Sequence, residues 1–265
     1  GLENVLWFAN NKEDAHEEPT IKRSRSHDYV SKEVINVREN VGLIEVANFS
    51  KHEFKGPDAR KFLDHIMAGK LPKPGRISLS PMLSYRGKLC GDLTVACLDE
   101  NEFMVFGSGA AQEMHRRWFE SHLDKFNLSY SNRSDEYHGL SIAGPTSRKI
   151  LEKIVRDDVS NEKFKFRDSR RMFVGGVPAL VNRISFTGEL GYEIYVAPHY
   201  QLKLYEELME AGKEFNIKPF GGRALMSMRL EKNWGAWTLD YRPDFTAKET
   251  GLDAFINWDK EFIGK

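Results

Sequence analysis

Two acidic residues stand in local sequences suited to proton transfer and ligand hydrogen bonding. Glu193 lies in Phe186-Thr-Gly-Glu-Leu-Gly-Tyr-Glu-Ile-Tyr195. Gly188 and Gly191 allow a tight turn there, because glycine reaches backbone angles that strain other residues. The residues after it alternate with period two, which predicts a strand: Tyr192, Ile194 and Val196 point one way, Glu193 and Tyr195 the other. A carboxylate beside an aromatic on one face can hold a flat heterocycle with adjacent N–H donors, the carboxylate accepting them while the ring stacks. The same pattern also fits a hairpin with Glu193 on a solvated face. Asp92 follows Tyr85-Arg-Gly-Lys-Leu-Cys-Gly91 and enters a strand of Leu93, Val95 and Cys97. An Asp at the mouth of a hairpin, beside a flexible glycine, can project into a cleft and there move a proton or stabilise a transient cation. It can equally bond the backbone of its own turn.

Other chemistries lack machinery. There is no G-x-G-x-x-G after a strand, no G-x-x-x-x-G-K-[ST] and no G-x-S-x-G elbow. Eight histidines are scattered. His115 and His122 fall two helical turns apart, roughly 10 Å, too far to share a metal, and read as surface or capping residues.

Residues 1–27 are rich in charge around an isolated Leu6-Trp7-Phe8 anchor, which predicts an arm across the surface. Val30, Val34, Val37 and Val41 predict a helix over 30–41, capped by Asp28. Pro57 is placed to open a helix reaching Met67. Strands are predicted at 43–46, 52–55, 77–83, 93–98 and 103–106, and a helix over 111–126. A second lobe is predicted to begin near Tyr137, with strands at 140–143, 171–174 and 177–184 and helices over 198–215 and 223–232. Tight turns between sequential strands imply antiparallel pairing, so the class is α+β.

The 265 residues suffice for one large domain or two closely packed lobes. Basic and acidic residues balance at 39 each, which argues against a broad nucleic-acid footprint. No apolar run approaches the ~20 residues of a membrane span. Cys90 and Cys97 are too few for a disulfide framework or a zinc site. A reducing compartment is expected: the cytoplasm, or the mitochondrial matrix in a eukaryote.

Seven separated runs together resemble the aminomethyltransferase (glycine-cleavage T-protein) family, and most nearly the tetrahydrofolate-binding half of dimethylglycine and sarcosine dehydrogenases. They are Val41–Phe49, Phe54–Ala59, Gly91–Val95, Leu140–Thr146, Phe186–Tyr195, Ala224–Lys232 and Trp237–Tyr241. The resemblance implies two intertwined antiparallel-sheet lobes around a folate channel: an arm over 1–28, a first lobe over 29–136 and a second over 137–265. A C-terminal barrel would follow Lys265, and a flavin domain holding FAD would precede Gly1, so a fragment of a larger flavoenzyme is expected.

The implied activity is folate-dependent one-carbon transfer, taking the aminomethyl or methylene product of a small methylated amine and forming 5,10-methylenetetrahydrofolate. Asp92 matches the acid beside the reactive folate nitrogens, and Glu193 the acid that pairs with the pterin N–H groups. Phe186, Tyr195, Phe49, Ser108 and Leu225 occupy the remaining pocket positions. Phe186 stands where the family often has Tyr, Phe49 where T-proteins have Met, Asn48 where they have His, Ser108 where they have Asn, and Leu225 where they have Arg. Arg229 and Glu231 also match, and read as a structural ion pair at a helix end. Asp92 and Glu193, one from each lobe, are expected to meet a cavity sized for a reduced pterin. Two other functions fit the same residues: a non-catalytic scaffold for the flavin domain, and a folate-dependent demethylase of another methyl donor.

Overall fold

The structure, a computed structural model, describes residues 3–265; the first two residues of the expected arm lie outside it. In chain order the first elements are α1 (His27–Glu39), β1 (Gly42–Glu45), β2 (Phe49–Lys55), α2 (Ala59–Ile66) and β3 (Arg76–Leu83). Next come β4 (Leu89–Asp99), β5 (Glu102–Ser108), α3 (Gln112–Glu120), β6 (Ser129–Asn132), β7 (His138–Ala143) and α4 (Ser147–Ile154). The last are β8 (Ser169–Val174), β9 (Val177–Asn182), β10 (Gly191–Val196), α5 (Gln201–Gly212), β11 (Lys218–Pro219) and α6 (Gly222–Glu231). The class is α+β with two intertwined, mainly antiparallel sheet lobes, as the sequence implied.

The two compact units interleave along the chain. One comprises Gly1–Val46, His138–Phe166 and Arg171–Trp234; the other comprises Ala47–Tyr137, Arg167–Arg170 and Gly235–Lys265. One of the cuts between the units falls after Tyr137. The lobes differ from the expected consecutive 29–136 and 137–265. The reason is long-range pairing: β1 runs antiparallel to β7 and parallel to β11. Local periodicity identifies a strand but not its partner.

In the first unit the sheet order is β11-β1-β7-β10-β9-β8. Tyr192, Ile194 and Val196 of β10 join Leu140, Ile142 and Val181 in a core closed by Ile150 and Leu151 of α4 and Leu204 and Leu208 of α5. A smaller apolar cluster joins Val37 of α1 to Ala224 and Met228 of α6, with Ile44 and Leu225 packed on it. In the second unit the order is β3-β4-β5-β2-β6. Its core packs Phe54, Leu93, Val95 and Val105 against Phe62 and Leu63 of α2 and Phe119 of α3.

Several local expectations shift. α1 starts at His27, so Asp28 sits in its first turn rather than capping it. α3 ends at Glu120, short of the predicted 126, because Phe126 must turn back onto Phe62, while the Asp58 carboxylate accepts the Asn127 N–H at 2.8 Å. That turn delivers β6, which the sequence did not reveal, to the edge of β2.

The arm is pinned rather than loosely draped. Gly222 and Arg223, at the start of α6, donate their N–H groups to the carbonyls of Val5 and Leu6, at 2.9 and 3.0 Å. These are helix N-terminal donors that would otherwise lack partners. Glu33 of α1 is only 8% exposed and accepts the N–H of Phe8 at 2.7 Å and of Gly221 at 2.9 Å. Removing its carboxylate leaves two buried donors unpaired. Glu33→Ala is expected to lose roughly 2–4 kcal/mol in urea unfolding, and Glu33→Gln, which keeps one acceptor oxygen, distinctly less. Equal losses would assign the effect to packing instead.

Candidate functional site

Glu193 reaches its place because the apolar half of β10 is committed to the core, which leaves the other half facing away from α4 and α5. Pairing sets Ser141 of β7 and Asn182 of β9 beside Glu193, and Gly139 beside Tyr195. Gly139 is a steric requirement: a Cβ there would lie 2.7 Å from the Tyr195 ring. Tyr195 lies flat over that gap, 1% exposed, and donates its hydroxyl to Glu193 Oε2 at 2.8 Å. The expected role of Tyr195 as a stacking surface therefore gives way to one as a hydrogen-bond donor, since its ring is enclosed. Glu193 itself stays partly open. Burial pushes its pKa up to about 7, against the opposing effects of the Tyr195 hydroxyl and the Lys232 ammonium. Among the described residues no donor reaches Oε1.

The segment from Ser185 to Gly191 makes the predicted tight turn. Gly188 adopts φ +87°, and Gly191 leaves room for Ser185, whose Cβ would be 2.5 Å from a side chain there. Ser185 Oγ closes the turn on the Glu189 carbonyl at 2.6 Å. Phe186 sits in this turn, half-buried. Leu225 lies on α6 in the apolar layer shared with α1.

In the second unit Asp92 is not at a hairpin mouth. It is inside β4, opposite Pro81, just past a bulge at which Cys90 is the unpaired extra residue between Leu89 and Gly91. Bulges re-aim the side chains beside them. Thr94 pairs with Phe106, and Ser108 with Phe49. Extending the β4–β5 register by two residues brings Ser108 level with Asp92. Asp92, Ser108 and Phe49 thus share one sheet face, the face away from α2 and α3. The Asp92 carboxyl accepts its own backbone N–H and no side-chain donor, and burial lifts its pKa to about 7. Lys51 shares that face. Its Nζ donates to the Ala47 carbonyl at 2.7 Å, and burial lowers its pKa to about 8.

His115, expected on the surface or at a cap, is instead 1% exposed. It fits into a notch over Gly91 and Gly107, where side chains would meet its ring at 2.9 and 3.1 Å, and its Nε2 lies 2.9 Å from the Cys90 carbonyl. Neighbouring His52 is fully buried, and desolvation drops the two pKa values to about 4 and about 3. A cavity of about 310 Å³ is lined by residues including Cys90, Met114, His115 and Trp118, and by none of the predicted site residues. Arg229 and Glu231 also depart from expectation: Arg229 donates to the Trp234 carbonyl at 3.0 Å, and Glu231 pairs with Arg38 of α1. Residues two apart on a helix do not face each other. Sequence reasoning missed Lys232, Gly139 and Lys51; only Lys232 fell inside a run it had singled out.

Two mainly antiparallel sheets of this kind, one carrying Glu193 and the other Asp92, form an α+β protein of the aminomethyltransferase fold. The solved structure of glycine cleavage system aminomethyltransferase T from Bartonella henselae superposes with a TM-score of 0.80 at 22% identity, over 89% of this chain and 64% of that one. The sequence profile of the GCVT N-terminal domain matches residues 1–260, and the chain belongs to that family. It is similar to mitochondrial dimethylglycine dehydrogenase of Mus musculus, 35% identical over all of this chain and 31% of the mouse protein. It is also similar to an aminomethyltransferase of Thermoanaerobacter pseudethanolicus, 31% identical over 86% of this chain and 63% of that protein. The chain therefore spans under a third of the dehydrogenase it matches.

The raised acids make stability pH-dependent with a definite sign. A carboxyl whose folded pKa lies above its unfolded value stabilises fully below about pH 4, and that contribution is lost as pH rises toward 7. His52 and His115 act oppositely, losing stability as pH falls below about 6.5. Asp92→Asn is therefore expected to stabilise relative to wild type by an amount that grows from pH 4 to 7 and then levels at about 1–3 kcal/mol, read from urea unfolding at several pH values. A difference independent of pH would exclude Asp92 as the titrating group.

Proposed function

We propose that the chain is the tetrahydrofolate-dependent one-carbon transfer module of a larger enzyme like dimethylglycine or sarcosine dehydrogenase, forming 5,10-methylenetetrahydrofolate. The supporting observation is a pair of partly open carboxyls, one per unit, each held near neutrality by burial and each left with acceptor capacity. The donor set suits a reduced pterin. Glu193 Oε2 takes the Tyr195 hydroxyl while Oε1 remains for a ligand N–H.

When bound, tetrahydrofolate supplies a nucleophilic amine nitrogen. Glu193 accepts N–H groups of the pterin and fixes its orientation, through charge-assisted bonds about twice as strong as neutral ones. Asp92 accepts the proton released as that nitrogen attacks an iminium or formaldehyde-level carbon, and its ionised form stabilises positive charge on that carbon. A base with pKa near 7 is matched to this task at neutral pH. The same proposal assigns the amine oxidation that supplies the carbon to a flavin domain of the parent enzyme.

Calorimetry with tetrahydrofolate or its 5-formyl derivative tests the proposal. Wild type is expected to bind, Glu193→Ala to lose at least tenfold in affinity, and Asp92→Ala to keep binding while methylenetetrahydrofolate formation falls roughly 10²–10⁴-fold. An absence of heat with wild type would reject folate binding and favour the scaffold function. Full turnover by Asp92→Ala would remove its assigned role.

A further inference from the structure

We infer that His115 is a positioning residue for Asp92: it fixes the peptide between Cys90 and Gly91, and through it aims the carboxyl that the proposed reaction uses as its base. The inference rests on the folate reading of Asp92 and names a residue which that reading did not need. All four residues belong to one compact unit. The bulge leaves Cys90 outside the pairing of β4 with β3, since Leu83 stands opposite Leu89 and Met82 opposite Gly91. The Cys90 carbonyl instead meets His115 Nε2 at 2.9 Å. A carbonyl only accepts, so Nε2 carries the proton and Nδ1 the lone pair. The partner strand adds little hold at this point, because the residue opposite Asp92 is Pro81, which has no N–H to give.

The ring that makes this bond is itself held in place. A side chain on Gly91 would come within 2.9 Å of Nε2, and one on Gly107 within 3.1 Å of Nδ1, so the ring reaches the carbonyl only because both positions are glycine. His115 is 1% exposed, and the rings of His52, Phe119 and Trp237 stand within 6.3 Å of it, centroid to centroid. From Cys90 the constraint passes through Gly91 to Asp92, whose carboxyl accepts its own backbone N–H. Fixing the peptide therefore fixes the donor that holds the carboxyl. Successive side chains of a strand leave on opposite faces, so His115, seated over Gly91, acts on Asp92 through the backbone. A misplacement of about 1 Å in a reacting group can cost about 10²-fold in rate.

The test uses the full chain. His115→Phe keeps a ring and removes the donor, whereas His115→Gln restores an N–H near the place of Nε2. In His115→Phe, methylenetetrahydrofolate formation from tetrahydrofolate and formaldehyde is expected to fall roughly 10–100-fold in kcat with KM within about twofold, and His115→Gln to recover most of that loss. Without ligand, the Asp92 carboxyl is titrated by ¹³C NMR. Its midpoint should fall by roughly half a pH unit or more in His115→Phe, because a loosened bulge admits water to a carboxyl raised by burial, and return in His115→Gln. An unmoved Asp92 titration, or equal losses in the Phe and Gln variants, overturns the inference. Failure of wild type to bind folate, with the titration shifted, rejects the folate function and leaves the link from His115 to Asp92 standing. ¹⁵N NMR of the wild-type imidazole decides whether or not a variant folds: a proton on Nε2 is expected, and one on Nδ1 overturns the inference by excluding the bond to Cys90.

Discussion

The structure turns on a constraint within one strand. β10 must bury Tyr192, Ile194 and Val196 to complete a core with α4 and α5. Successive side chains alternate, so that commitment fixes where Glu193 and Tyr195 go. A one-residue slip would exchange core and site together. The register of β10 against β7 and β9 is therefore both a folding requirement and a site requirement. The desolvation that raises the Glu193 pKa follows from it, because the carboxyl is carried onto a face where protein replaces most of its water.

The second unit reaches the same end with different parts. Leu93, Val95 and Cys97 hold β4 to the helices, and Asp92 and Thr94 fall on the opposite face. Here the bulge at Cys90 sets the alternation anew just before Asp92. His115 braces that irregularity: its ring occupies the space left by Gly91 and Gly107 and meets the Cys90 carbonyl. In each unit glycine makes room for a ring, Tyr195 over Gly139 in one and His115 over Gly91 and Gly107 in the other. Absent side chains shape both sites as much as present ones.

These relations divide what sequence could reveal from what it could not. The alternation from Tyr192 to Val196 was legible because one strand carries all of it. The turn at Gly188 was legible from local composition. The membership of β1, by contrast, depends on partners about a hundred and more residues away, β7 and β11, and no window contains both. β6, Ser-Tyr-Ser-Asn, has no apolar alternation and is a strand only because the edge of β2 receives it. His115 was read as a surface or capping residue; its burial depends on glycines in two strands. Asp92 was expected at a hairpin mouth and lies inside β4 instead, since a bulge has no signature in Gly91 alone.

The departures at Phe186 and Leu225 gain a physical sense from this arrangement. Leu225 packs with Val37, Phe220, Ala224 and Met228 between α1 and α6, so the position that the resemblance matches to an Arg contributes apolar cohesion here. That cohesion holds α6, whose start is capped by the arm and whose end delivers Lys232 to Ser185. An arginine there would have to snorkel or desert that layer. On the proposed function, recognition loses an ion pair to the folate tail and a phenolic hydrogen bond. The orientation of the pterin then depends more heavily on the one charged acceptor that remains, Glu193.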